Sequence, residues 1–127
     1  MATNISMYIA TALLAVGNIL LAGDHTSTVS PGQPARLQGC LATGKEESWT
    51  VSIKGGKEAR LLILKGRRGV VADIYDPQNL AANEGVAEED WFPVAPGRYK
   101  VIVTNVTGLG TKSGGRNVAY EIKIEAK

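Results

Sequence analysis

The chain has 127 residues, a net charge of +2 at neutral pH, 44% hydrophobic side chains and 20% charged ones. That is room for one domain of ordinary globular composition, which excludes an extensively disordered chain and a tandem of domains. The slight positive balance gives no footprint for nucleic acid, and the single cysteine, Cys40, excludes an internal disulfide, a zinc ribbon and a haem-attachment motif.

Residues 5–23, ISMYIATALLAVGNILLAG, form an uncharged run, and every Lys and Arg lies at or beyond Arg36. As a helix the run would be about 28 Å long, close to the roughly 30 Å hydrocarbon core of a bilayer. Three readings compete: a retained transmembrane anchor, a cleaved export signal, and a buried helix of a soluble domain. An export signal carries a basic start and a small-x-small cleavage site. Here no basic residue precedes the run, and Leu21-Ala22-Gly23 offers Leu where a small residue belongs. The anchor is the preferred reading. It must bury Asn18, whose amide favours packing against another membrane helix and so makes Asn18 a candidate partner-binding residue.

Residues 24–34, DHTSTVSPGQP, read as a flexible linker with His25 as a solvated linker residue. Beyond it the pattern is one of strands. Arg36 to Leu41 is a short edge strand, in which Cys40 reads as a small buried hydrophobe. Ser48 to Lys54 alternates, with Trp49, Val51 and Ile53 on one face. Ala59 to Leu64 is apolar enough to be buried on both faces. A basic turn, Lys65-Gly66-Arg67-Arg68-Gly69, leads into Gly69 to Tyr75, which Asp76-Pro77 closes. Asn79 to Gly85 reads as a loop with a helical turn at Leu80-Ala81-Ala82. Pro96-Gly97 suits a type II turn and requires an unusual backbone at Gly97. It opens the most regular alternation in the chain, Tyr99, Val101 and Val103 against Lys100, Ile102 and Thr104. A Gly-rich hairpin tip at 107–116 precedes Val118 to Glu125, with Tyr120, Ile122 and Ile124 facing inward. About seven short strands with turn signals between them predict a mainly β domain, an antiparallel sandwich.

Chemistry-bearing residues are few. Asp73, Asp76, Glu88, Glu89 and Asp90 are the candidate metal ligands, since hard carboxylate oxygens suit Ca²⁺ if the two loops meet, but the spacing matches no EF-hand and turn formation accounts for Asp76. Lys65, Arg67 and Arg68 are candidates for binding an anionic partner, either lipid headgroups or an acidic protein surface. Trp91 and Phe92 read as packing rather than as a sugar platform. No nucleophile elbow or triad pattern is visible, so the chain reads as a non-enzyme without a resident cofactor.

The succession ESWTVSIKGGKEARLLIL, VADIYDPQN, WFPVAPGRYKVIV and AYEIKI resembles bacterial pre-peptidase C-terminal (PPC-like) domains. Trp49, Gly56, Asp73, Tyr75, Asp76, Pro77, Pro96, Gly97, Tyr99 and Tyr120 occupy the matching positions, over roughly residues 35 to 127. The order of strands is similar also to that of periplasmic inhibitors of goose-type lysozyme. The resemblance implies a jelly-roll-like β-sandwich used as an extracytoplasmic accessory module, here without an attached catalytic domain. Together with the hydrophobic helix it leads to one leading expectation. The chain is a membrane-anchored accessory subunit that steadies a larger membrane protein complex, touching its subunits and the membrane lipid. The alternative expectation is a secreted or periplasmic binding module, including a lysozyme-inhibitor-like one.

Overall fold

The computed structural model describes residues 25–86, 90–109 and 114–127. The hydrophobic run with Asn18, and Glu88 and Glu89, lie outside the described residues. Among the described residues the chain is strand and turn throughout, and no helix is long and apolar enough to cross a membrane.

The strands are β1 (Thr26–Val29), β2 (Ala35–Leu41), β3 (Glu46–Ile53), β4 (Glu58–Lys65), β5 (Val70–Tyr75), β6 (Ala81–Val86), β7 (Phe92–Pro93), β8 (Gly97–Asn105) and β9 (Val118–Ala126). They form a five-stranded sheet of order β1-β3-β8-β5-β6 and a four-stranded sheet of order β2-β9-β4-β7. The chain changes sheet at every connection from β1 to β5. Each pair of consecutive strands therefore faces across the core instead of lying side by side.

Strand β8 is the centre of the larger sheet. It pairs antiparallel with β3, Val101 opposite Trp49, and with β5, Val101 opposite Ile74. Its alternation is the one the sequence prescribes: Tyr99, Val101 and Val103 are buried and their neighbours are not. β9 repeats the pattern in the smaller sheet with Tyr120, Ile122 and Ile124, against Gly39, Leu37 and Ala35 of β2. The inward residues of both sheets form one contiguous core. Period-two placement of apolar side chains on two facing sheets is what drives the stacking, at about 25 cal/mol for each Å² of apolar surface removed from water.

The structure differs from the sequence expectation at several places. Thr26–Val29, expected within the linker, is a strand that lies parallel to β3, Thr26 opposite Thr50 and Val29 opposite Ile53. Val29 is fully buried, and that burial, with the β-favouring Thr residues, outweighs the loop-like composition around it. Ala81–Val86, expected as loop or helical turn, is an edge strand on β5 with irregular register. Asp76 accounts for it: its backbone N–H donates to the Leu80 carbonyl, and its Oδ1 accepts from the N–H groups of Gln78 and Leu80. That tight turn sends the chain straight back along β5.

β4 is not buried on both faces. The pairing register with β9 slips at Glu121/Ile122, so Leu64 is the extra residue of a bulge and remains 49% exposed. Cys40 is exposed rather than buried, because β2 sends Ala35, Leu37 and Leu41 inward and the parity of a strand turns Cys40 out. Gly97 begins β8 with the unusual backbone the sequence requires, a positive φ of 159°, although as the first residue of the strand and not in a type II turn. Contact adds a second reason for glycine: a Cβ there would stand 2.7 Å from Pro77 Cγ.

Candidate interaction surface

Three connections meet at one end of the two sheets: residues 42–45 between β2 and β3, 66–69 between β4 and β5, and the described parts of 106–117 between β8 and β9. Backbone bonds stitch them together. Gly44 N–H donates to Asn105 O, Asn105 N–H to Lys45 O, and Val106 N–H to Gly69 O. Asn105, fully buried, is the pin. Its amide donates to the carbonyls of Leu41 and Arg116 at 2.7 and 2.8 Å, and its Oδ1 accepts from the backbone and hydroxyl of Thr107. A buried amide with its donors and acceptor all engaged holds a loop cluster rigidly.

On this scaffold the basic turn carries Lys65, Arg67 and Arg68, all exposed. The topology adds Lys45 and Arg116, which sequence distance had hidden. None of the described residues of these loops is acidic. On the neighbouring strand β9, Glu121 is paired with Arg36 at 2.5 Å. Lys65 also borders a shallow groove of about 460 Å³ with Gln38, Cys40, Ala119 and Glu121. Leu64 stands beside it, and Leu109 at the β8–β9 connection is 60% exposed.

Next to this end lies a polar and aromatic knot that the sequence did not reveal. The ring of His25 stacks on Trp49, centroids 4.3 Å apart, and its Nε2 is 3.1 Å from Glu47 Oε2. The other Glu47 oxygen accepts from Tyr120 OH at 2.5 Å, and that hydroxyl accepts from Trp49 Nε1–H at 2.9 Å. Tyr120 stands across from Gly39, where a Cβ would come within 2.7 Å of the ring, so glycine opens the space the phenol occupies. Burial first, then the hydrogen bond to Glu47, pushes the Tyr120 phenol well above its ordinary value. His25 is thus a packed residue joining β1 to β3, not a solvated linker residue.

The carboxylates do not gather. Asp73 points to the outer face of the larger sheet, where it, Glu84 and Glu46 add to desolvation in raising the Tyr75 phenol. Asp76 caps its own turn, and Asp90 is exposed. Among the described residues no three His, Cys, Asp or Glu side chains converge as a metal cage. Asp76 also borders an open cleft of about 440 Å³ walled by Pro77, Pro93, Pro96 and Tyr99. Trp91 lies under two cations, Arg60 at 4.7 Å and Lys127 at 4.3 Å from the ring centroid, and is half-buried as a packing residue.

No protein-family model matches the chain, and no curated protein matches it significantly in sequence. Solved structures do match. PliG of Aeromonas hydrophila, a periplasmic lysozyme inhibitor of g-type lysozyme, superposes with a TM-score of 0.56 at 17% identity, over 80% of this chain and 97% of that one. The Salmonella Typhimurium PliG gives 0.52 at 16% identity, over 80% and 99%. The pre-peptidase C-terminal domain of a Bacillus anthracis collagenase gives 0.55 at 15% identity, over 84% and 100%. Both resemblances read from the sequence therefore recur in three dimensions, as likeness of fold.

Proposed function

We propose that the chain is a non-catalytic binding module that works outside the cytoplasm, tethered by residues 1–23 and engaged with a larger membrane or surface protein assembly. One observation carries the reading: this sandwich spans 97% and 99% of two chains that are periplasmic inhibitors of g-type lysozyme. A fold of this size is thus sufficient as a stand-alone binder. The tether is supported by the uncharged length of residues 5–23, and by Asn18, whose amide gains most against a neighbouring membrane helix. The described residues supply a rigid surface of loops, pinned by Asn105.

The test is extraction and co-purification of the native protein. An intact mass that includes residues 1–23, resistance to alkaline carbonate, and stoichiometric co-purification with one assembly are the expected results. A mature form lacking about two dozen N-terminal residues refutes the tether. The same likeness favours a second reading, a soluble inhibitor of a goose-type lysozyme. Dose-dependent inhibition of such an enzyme by the full chain decides for it, and unaltered lysis decides against it.

A further inference from the structure

The strand β1 changes what a tether at residues 1–23 implies. The composition of residues 24–34 offers a flexible linker, but Thr26–Val29 is docked on β3 and the His25 carbonyl accepts from Thr50 N–H at 2.8 Å. In sequence, only Asp24 then separates the uncharged run from the folded sandwich. Because β1 runs parallel to β3, it points its N-terminus toward the end where β3 begins, with Thr26 opposite Thr50, four residues in from Glu46. That is the end with Lys45, the basic turn and Arg116.

Resting on the tethered reading above, we infer that this loop end is a docking surface for anionic lipid headgroups and holds the sandwich in one orientation on the bilayer it is tied to. Three independent features agree. The first strand points its N-terminus toward this end. Lys45, Lys65, Arg67, Arg68 and Arg116 project from loops whose described residues contain no acid. Among the described residues the large apolar side chains left exposed are Leu64, Leu80 and Leu109, and two of the three belong here. Cations interleaved with exposed leucines suit the headgroup boundary, where the charge meets lipid phosphate and the aliphatic side chain enters the acyl edge. The pin at Asn105 keeps the loops in place, so docking costs little ordering of the chain.

The experiment uses the full chain in phosphatidylcholine vesicles with and without phosphatidylglycerol, labelled with a fluorophore on Cys40, the exposed thiol near the end of β2. A headgroup-borne quencher reads proximity. The expected result is strong quenching in the anionic vesicles, weak quenching in neutral ones, and loss of the difference in high salt. Replacing Lys65, Arg67 and Arg68 together by Gln lowers the docked-to-undocked ratio by about a hundredfold, at roughly fivefold for each cation. Leu80→Ser, at the opposite end, leaves it unchanged. Equal quenching in both vesicle types, or in wild type and the triple variant, overturns the inference and assigns the basic loops to an acidic protein surface. If alkaline carbonate strips the chain from vesicles, the tether itself fails. Salt-dependent co-sedimentation with the anionic vesicles then sustains the docking surface alone, and its absence removes both.

Discussion

Tyr120→Phe tests the knot that joins the two sheets. The change keeps the ring over Gly39 and removes only a hydroxyl, so it creates no cavity worth counting. That hydroxyl donates to the Glu47 carboxylate and accepts from the Trp49 indole. A bond to a charged acceptor contributes about 1.5–3 kcal/mol and a neutral one about 1 kcal/mol, and water recovers part of this because Trp49 and Glu47 are only half-buried. A net loss of about 2 kcal/mol lowers Tm by roughly 8–16 °C for a domain of about 100 residues. The assay is thermal melting between pH 7 and 11.

The pH arm has a definite sign. The folded phenol is held protonated above the ordinary value of 10.0, first by burial and then by the bond to Glu47, whereas the unfolded phenol ionises near 10. The contribution of Tyr120 is therefore complete below pH 10 and falls as pH rises further, because the folded state retains a proton the unfolded state has lost. The difference in stability between wild type and Tyr120→Phe should shrink above pH 10. Equal Tm values at pH 7, or parallel profiles across pH 10, refute the bonding scheme.

Val101→Asp places a carboxylate at a fully buried position between Trp49 and Ile74, costs several kcal/mol out of about 5–15, and leaves no cooperative melt; a transition within two degrees or so of wild type, on a scale where 1 kcal/mol moves Tm by about 4–8 °C, contradicts the facing of β8. Gly97→Val drives a side chain into Pro77 at a backbone that disfavours it and costs about 1–3 kcal/mol, of which the contact part returns in a Pro77→Ala background. Failure of that rescue shows that the positive φ alone requires glycine there. Asn105→Ala strands the carbonyls of Leu41 and Arg116 and costs about 3 kcal/mol, with faster amide exchange at Thr107 and Arg116. Unchanged exchange there argues against the pin.

The sandwich was legible because its central strands obey the simplest rule. Tyr99, Val101 and Val103, and Tyr120, Ile122 and Ile124, announce their faces by alternation alone. The same parity in β2, with Leu37 and Leu41 inward, already turns Cys40 to solvent, although residue type argued for burial. β1 and β6 were illegible for a different reason. Neither Thr-Ser-Thr-Val nor Ala-Ala-Asn-Glu has a pattern of its own, and each becomes a strand because a neighbouring edge offers hydrogen bonds. The basic surface was half readable. Lys65, Arg67 and Arg68 adjoin in sequence, while Lys45 and Arg116 join them only through bonds made by Asn105 and the strands it closes. His25 and Tyr120 lie 22 and 73 residues from Glu47, a separation no local pattern bridges.

The parallel seam between β1 and β3 also sets how the domain bears a load. Its chain enters from the side of the loop end, level with Thr50 midway along β3, and β9 leaves at the opposite end, where Lys127 bonds to Lys57 and Glu58. A pull applied between those two points runs along the strands. It therefore shears the bonds between β1 and β3, from Thr26 against Thr50 to Val29 against Ile53, all at once instead of peeling them one after another. A sandwich hung this way resists traction on its first strand far better than a hairpin that unzips, and it fails abruptly when it fails.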